Sequence, residues 1–398
     1  MANDDLGAAK AAKKDAFYTS WGDIEREMNA YLEYNQDVFR DKTILLPCDD
    51  PEWSNFTKYF ALHFSDFGLK KLISTSYAHD DNSPSGYGPP TLFDDPDVSD
   101  EDLRGRVFTL TSEDVSGDGR VDIEDLRWEY LEGDGDFRSA EVTALRDEAD
   151  MVITNGPFSL FRELVAWLVE GGVQFSIIGN VNSATTKEIF PLIKTNRLWL
   201  GPTITSGDRE FRVPESYPLN AAGFRVDGDG NKFIRVKGVR WFTNIDHGRR
   251  HEPLQLMTTA DNIKFSKHKE VRDLGYSSYA NYDGIEVPFT DAIPRDYSGL
   301  LGVPITFLDK YNPDQFEILG ISKTWDKDSG LKTRIFPTQI QVSKNGARSQ
   351  VGKLNDGTAI KVDVAPDSTY YVVGDEMFVQ TYPRVLIRHR NVASTESE

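Results

Sequence analysis

The chain has 398 residues, 27% of them charged and 39% hydrophobic, and a formal net charge of −19. This is the composition of a globular protein with a sizeable core, and it excludes a disordered, collagen-like or small disulfide-rich chain. The single cysteine, Cys48, excludes an intramolecular disulfide and the four-cysteine and Cys/His zinc sites.

The charge is uneven. Residues 80–150 hold 22 acidic and 6 basic side chains, whereas residues 225–272 hold 11 basic and 6 acidic ones. The second stretch can offer a phosphate-binding face despite the acidic total, although ordinary solvated charges would give the same count. The N-terminus has no apolar signal core, and the longest apolar stretch, Leu164 to Val181, is broken by Glu170, Gly171 and Gly172. A soluble, cytoplasmic protein is the expectation.

In chain order, residues 1–15 read as a frayed terminus. Ile24, Met28 and Tyr31 recur at helical spacing, which predicts a helix over Asp23 to Tyr34. The apolar run Thr43 to Pro47 predicts a buried strand. A CDDPEWSN turn follows, then a helix over Phe56 to Phe67 closed by Gly68, then a strand over Leu69 to Thr75. Residues 79–105 are acidic and rich in Pro, Gly and Ser, and read as a surface insertion. Val107 to Thr111 and Asp150 to Thr154 predict strands. A helix over Leu160 to Val169 and a strand over Gln174 to Gly179 come next. Strands alternating with helices predict an α/β fold with a doubly wound sheet, in which ligands bind beyond the carboxyl ends of the strands. From about residue 200 the pattern turns strand-rich.

Two segments at strand ends carry chemistry. The first, Thr154-Asn155-Gly156-Pro157-Phe158, resembles the Asn-Pro-Pro-aromatic motif of amino-group DNA methyltransferases. An exocyclic adenine amine is a poor nucleophile because its lone pair is delocalised. The Asn155 side-chain carbonyl and the Gly156 backbone carbonyl can accept its two hydrogens, while Phe158 stacks on a flipped base. The same residues would also suit a plain strand-to-helix turn with Pro157 near the first helical position. The second segment is Asp49-Asp50-Pro51. Its carboxylates can bind the hydroxyls or amine of a cofactor, or can form an Asx turn that caps the next helix. The absence of a Gly-rich dinucleotide fingerprint there argues against a nicotinamide dehydrogenase.

A third segment has oxygen side chains at alternate positions. Asp114, Ser116, Asp118, Arg120, Asp122 and Asp125 fit a calcium loop with Gly119 at its sharp turn, or alternatively an acidic surface turn. A structural Ca2+ pinning the acidic insertion is the corresponding expectation. No histidine pair has metal-ligand spacing; the closest, His247 and His251, suits phosphate contact better.

Taken together, TNGPFSLFRE, PCDDPEWSNF, LKKLISTSY, EGDGDFRS, EIFPLIK and GVPITFLDKYNPDQFEILG resemble the EcoRI-type adenine-specific DNA methyltransferases, from about Lys14 to Asn391. The resemblance implies a Rossmann-like methyltransferase sheet with an acidic insertion and a strand-rich C-terminal region. It implies S-adenosylmethionine as cofactor, double-stranded DNA as partner and adenine N6 in a short sequence as target. Phe17, Tyr18 and Thr19 would belong to the amino-terminal cofactor motif. Asp49, Asp50, Pro51 and Trp53 would form the cofactor loop, and Asp136 and Phe137 an acid–aromatic pair near the cofactor adenine. Asn155, Gly156, Pro157 and Phe158 would be the catalytic motif. Trp241, Phe242 and Asn244 resemble a later motif near the target base. Arg235, Lys237, Arg240, Arg249 and Arg250 are the basic candidates for DNA contact.

The implied organisation is a flexible terminus over 1–15 and a catalytic domain over 16–245 with an insertion at 79–128. A DNA-contacting, target-recognition region over 246–391 and a tail over 392–398 complete it. A monomer, with a cognate restriction endonuclease acting separately, is expected. The family has proline where this chain has Gly156. Glycine supplies the same carbonyl but not the restricted φ, so transfer should be slowed without being abolished, and Gly156→Pro should raise the rate. A DNA-binding homologue without activity, and a methyltransferase for RNA or a protein amide, are the competing readings.

Overall fold

A computed structural model describes residues 19–78, 104–114, 128–213 and 223–390. The described chain divides into two units. The first comprises residues up to Ser183 together with Leu198–Gly248, and the second comprises Ala184–Arg197 and the residues from Arg249 onward.

The first unit is a mixed α/β structure. Helix α1 (Trp21–Tyr34) begins at Ser20, whose hydroxyl accepts the Asp23 amide, and buries Ile24, Met28 and Tyr31. Strand β1 (Thr43–Leu46) is buried throughout. The helix expected over Phe56 to Phe67 is broken at His63 into α2 (Asn55–Leu62) and α3 (Phe64–Phe67). Gly68 ends the second piece at φ 64°, in the left-handed region that favours glycine. Strands β2 (Lys71–Ser76), β3 (Arg106–Thr111) and β4 (Trp128–Tyr130) follow. Then come α4 (Ala140–Glu148), β5 (Met151–Thr154), α5 (Phe161–Gly171) and β6 (Gln174–Asn180). The unit closes with β7 (Trp199–Leu200), β8 (Asp208–Val213), β9 (Arg225–Val226), β10 (Lys232–Lys237) and β11 (Val239–Thr243).

Eight strands form one sheet in the order β4-β3-β2-β1-β5-β6-β11-β7. Its centre, β2-β1-β5-β6, is parallel, with Ile44 opposite Met151 and Ile153 opposite Ser176. Both flanks are antiparallel, so the sheet is mixed rather than wholly parallel. Within the insertion expected at 79–128, β3 is a strand of this sheet, paired residue for residue with β2. Residues 79–103 and 115–127 lie outside the described residues, and so does most of the expected calcium loop. Of that loop, Asp114 is described: it closes the end of β3 by accepting the Thr111 amide and hydroxyl at 2.8 and 2.7 Å.

Strands β8, β10 and β9 form a separate antiparallel sheet. Along β10 the side chains alternate: Ile234 and Val236 are buried, whereas Arg235 and Lys237 are exposed. Phe211 and Val213 of β8 join Ile234 and Val236 in the main core, beside Trp241 and Ile178.

The second unit has, among the described residues, α6 (Phe190–Lys194), α7 (Thr259–Phe265), α8 (Lys269–Leu274) and two sheets. A four-stranded sheet is ordered β12-β13-β20-β14, from β12 (Gly284–Glu286), β13 (Leu300–Val303), β14 (Phe316–Ile321) and β20 (Val385–His389). A five-stranded sheet is ordered β16-β15-β18-β19-β17, from β15 (Gln339–Val342), β16 (Arg348–Val351), β17 (Ala359–Val362), β18 (Tyr370–Val373) and β19 (Glu376–Gln380). Arg384 forks onto Glu286, which also accepts the Tyr279 hydroxyl at 2.5 Å. This buried pair has its hydrogen bonds made, which a buried charge requires.

Candidate active site

The loops after β1 and β5 meet at the carboxyl edge of the parallel strands. Thr154, the last residue of β5, donates its hydroxyl to Asp49 Oδ2 at 2.5 Å. Ser54 donates to Asp49 Oδ1 at 2.7 Å and also caps α2 through the Phe56 amide at 3.0 Å. Burial pushes the Asp49 carboxyl up to about 6; the Thr154, Ser54 and Asn155 donors oppose the shift and neighbouring Asp50 adds to it. Asp50 Oδ1 accepts the amides of Glu52 and Trp53 at 2.9 and 3.1 Å, which is an Asx turn. Its other oxygen lies 3.6 Å from Arg106 Nη1, and that guanidinium also covers the Trp128 ring at 4.3 Å.

The GDGDF loop is pressed onto the end of β2. Ala78 donates to the Asp134 carbonyl at 2.8 Å, and a Cβ at Gly135 would sit 2.1 Å from the Ser76 carbonyl oxygen. Gly135 also has φ 79°, so glycine is required there on both counts. Asp136 is gripped by Arg138, which reaches on to Glu163 of α5 at 2.7 Å. These partners hold the Arg138 guanidinium above its ordinary pKa. Phe137 is buried and meets Trp167 edge-on at 5.6 Å. It packs between the loop and α5.

In the motif itself, Asn155 is 7% exposed, and Phe158 is partly buried against the core. A Cβ at Gly156 would lie 2.6 Å from Leu164 Cδ2 and 3.6 Å from Cys48 Sγ. Gly156 is not among the glycines of positive φ, so space rather than backbone conformation favours glycine there. A side chain at Gly156, as in Gly156→Pro, therefore requires the terminal methyl of Leu164 to shift.

Other candidates are placed differently from expectation. Trp241 and Phe242 are fully buried on β11, and the Asn244 amide clamps the Phe175 amide and the Val173 carbonyl at 2.6 and 3.1 Å. This segment is sheet core and not a surface for a target base. Arg240 is 4% exposed and donates to the carbonyls of Val239 and Thr205, and Arg250, 7% exposed, donates to Asn196. Neither can serve as a surface phosphate contact in this structure. Arg249 is half-buried. His247 is buried with Nε2 3.1 Å from the Leu200 carbonyl, which removes it from phosphate contact. Phe17 and Tyr18 lie outside the described residues. Thr19 is 4% exposed, and its Oγ1 makes no hydrogen bond among the described residues.

The family model described as the adenine-specific methyltransferase EcoRI matches residues 5–390. The chain belongs to this family. It is 40% identical over 322 residues to the type II methyltransferase M.EcoRI of Escherichia coli, covering 81% of this chain and 90% of that one. It is 33% identical over 314 residues to M.MpnI of Mycoplasma pneumoniae, covering 78% and 83%. A third relative, M.MgeORF184P of Mycoplasma genitalium, is 32% identical over 349 residues, covering 87% and 94%. No solved structure matches. As an EcoRI-type adenine methyltransferase the chain is an S-adenosylmethionine-dependent enzyme acting on DNA, and its relatives lend no support to an inactive homologue. No described helix is long and apolar enough to cross a membrane.

The EcoRI-type motifs account for Asn155 and Asp50 but not for the residues that hold them. Thr154, Ser54, Arg106, Arg138, Leu164 and Phe211 do not stand out in the sequence as site residues. Only Thr154, adjacent to the motif, and Ser54, a helix-cap residue type, give any signal there.

Proposed function

We propose that this chain methylates adenine N6 at a short specific sequence in double-stranded DNA, with the target base flipped from the helix. The observation that carries this reading is the meeting of the Asn155-Gly156-Pro157-Phe158 loop with the Asp49-Asp50-Pro51 loop through the 2.5 Å Thr154–Asp49 bond. In this Rossmann-like arrangement the donor site and the acceptor site share one sheet edge.

Asn155 and the Gly156 carbonyl accept the two amine hydrogens, which turns the nitrogen lone pair outward. Pro157 fixes the start of the next turn, and Phe158 stacks on the extruded base. The donor set around the first loop fits a polar cofactor. The unsatisfied Thr19 hydroxyl, the Asp50 carboxylate, Pro51, Trp53 and the Asp136 side chain would hold S-adenosylmethionine. When bound, it supplies the electrophilic methyl group. The amine proton leaves to water, so no side chain is needed as general base.

Arg235 and Lys237 on the outer face of β10 would contact phosphates, joined by exposed Arg212 opposite Phe233. Type II methyltransferases among the relatives support a protective role beside a separate endonuclease. Modification-sensitive long-read sequencing of DNA from a methylase-deficient host expressing the chain is the test. N6-methyladenine at one motif is expected; unmodified DNA from well-expressed protein would refute the reading.

A further inference from the structure

Asp49 touches both halves of the site. Its carboxylate oxygens face into the protein, onto Ser54 Oγ, Thr154 Oγ1 and the Asn155 amide. Its own main chain is fixed as well: its amide donates to the Thr75 carbonyl at 3.0 Å, and its carbonyl accepts the Ser74 hydroxyl. Asp49 is 5% exposed. A carboxylate directed this way has its acceptor capacity used by the chain, and Asp50 beside it is the better placed of the two for a ligand.

We propose that Asp49 is a positioning residue for methyl transfer: by holding the Thr154 hydroxyl and the Asn155 amide, it fixes where the Asn155 side chain enters the active site. The proposal rests on the reading of Asn155 as the residue that accepts the target amine. An ionised carboxylate accepts from all three donors. A protonated one turns an oxygen into a donor, which a hydroxyl can accept but the Asn155 amide cannot. The ionised form accepts from all three donors at once, and protonation takes away one acceptor site, so the ionised form holds the loop more firmly. The charged group that acts on it is Asp50 on its own loop, which Arg106 of β3 approaches to 3.6 Å. With the carboxyl pushed up to about 6, the hold is present at pH 8 and fades in mild acid.

The test is single-turnover methylation of undermethylated genomic DNA with tritiated S-adenosylmethionine, from pH 5 to 8.5. Wild type, Asp49→Asn, Thr154→Val and Thr154→Ser are compared, with cofactor affinity measured by calorimetry and folding by thermal melting. Wild type should lose roughly tenfold in rate per pH unit below about 6. Asp49→Asn should be slower at pH 8 by about 10- to 100-fold, should lack that acid limb and should bind cofactor within about threefold of wild type. Thr154→Ser should keep most of the rate and Thr154→Val should lose it. An acid limb unchanged in active Asp49→Asn would overturn the proposal, as would cofactor affinity falling in step with rate, which would make Asp49 a ligand. If Asp49→Asn does not fold, equal rates for the two Thr154 variants would overturn it. Wild type that binds cofactor yet methylates no adenine would overturn the reading of the site, and this proposal with it.

Discussion

Phe158, in the loop after β5, meets Phe211 of β8 edge-on, with ring centroids 6.3 Å apart and planes at 89°. The contact joins the aromatic proposed to stack on the target base to the inner face of the small sheet whose outer face carries Arg235 and Lys237. Edge-to-face pairs contribute about 0.5–1.5 kcal/mol beyond area burial. Phe211→Leu keeps apolar volume and removes the ring edge, so Phe158 should lose its orientation. The expected result is weaker capture of a flipped base, read as reduced 2-aminopurine fluorescence at the target position, with cofactor affinity unchanged. Equal fluorescence would mean that the motif loop alone orients Phe158.

The position of Gly156 makes a paired prediction. Adding a side chain there brings a carbon within 2.6 Å of Leu164 Cδ2, and Leu164 is 1% exposed. Overpacking of this kind typically costs about 1–3 kcal/mol. Gly156→Pro alone should lower both stability and single-turnover rate. Gly156→Pro with Leu164→Val should recover stability, and any benefit of the proline's fixed φ should then become visible. Urea denaturation and single-turnover kinetics on the three variants would check this. Equal stability of wild type and Gly156→Pro would show that Leu164 moves aside without cost.

Asp49 also links stability to pH. Its folded carboxyl is raised to about 6, above its ordinary value, so the folded state binds the proton more tightly than the unfolded state does. Its contribution to stability is present below about pH 4 and is lost as pH rises through about 6. Relative to Asp49→Asn, which does not titrate, wild type should lose roughly 2 kcal/mol of stability between pH 4 and 7. Urea midpoints of both proteins across that range would measure it. A constant difference would show that the carboxylate is better solvated than its burial suggests. The same ionisation that costs stability is the one that holds the motif loop, a trade-off common at functional sites.

Much of the central sheet was legible because its strands are short apolar runs, as in Thr43–Leu46, Met151–Thr154 and Gln174–Asn180. The α1 helix was legible from the spacing of Ile24, Met28 and Tyr31. The antiparallel placement of β11 between β6 and β7 was not, because strand partners are set by tertiary packing and leave no local pattern. Trp241 illustrates the cost: motif resemblance suggests a residue near the target base, yet all of β11 is buried. Arg240 and Arg250 fail for a related reason. Sequence shows a guanidinium but not the carbonyl or amide that receives it. The residues proposed for the site stand together in short sequence motifs, whereas the bonds that orient them run between loops far apart in the chain, such as Thr154 to Asp49.

Exposed and buried arginines should therefore separate in experiment. Arg235 and Lys237 are exposed on β10, opposite Glu210 and Asp208 of β8. Removing one phosphate-binding side chain should reduce the slope of log affinity against log salt by about 0.9. Arg235→Ala with Lys237→Ala should weaken binding to any duplex, flatten the salt dependence and leave the melting temperature nearly unchanged. Arg240→Ala should do the opposite. It removes the guanidinium that donates to the buried Val239 carbonyl, and an unsatisfied buried polar group costs about 1–3 kcal/mol. Its melting temperature should fall while the salt slope stays that of wild type. Fluorescence anisotropy at several salt concentrations, together with thermal melts, distinguishes the two. A reduced slope in the Arg240 variant would place that side chain on DNA after a rearrangement of β11, and an unchanged slope in the double variant would move the phosphate contacts to another face.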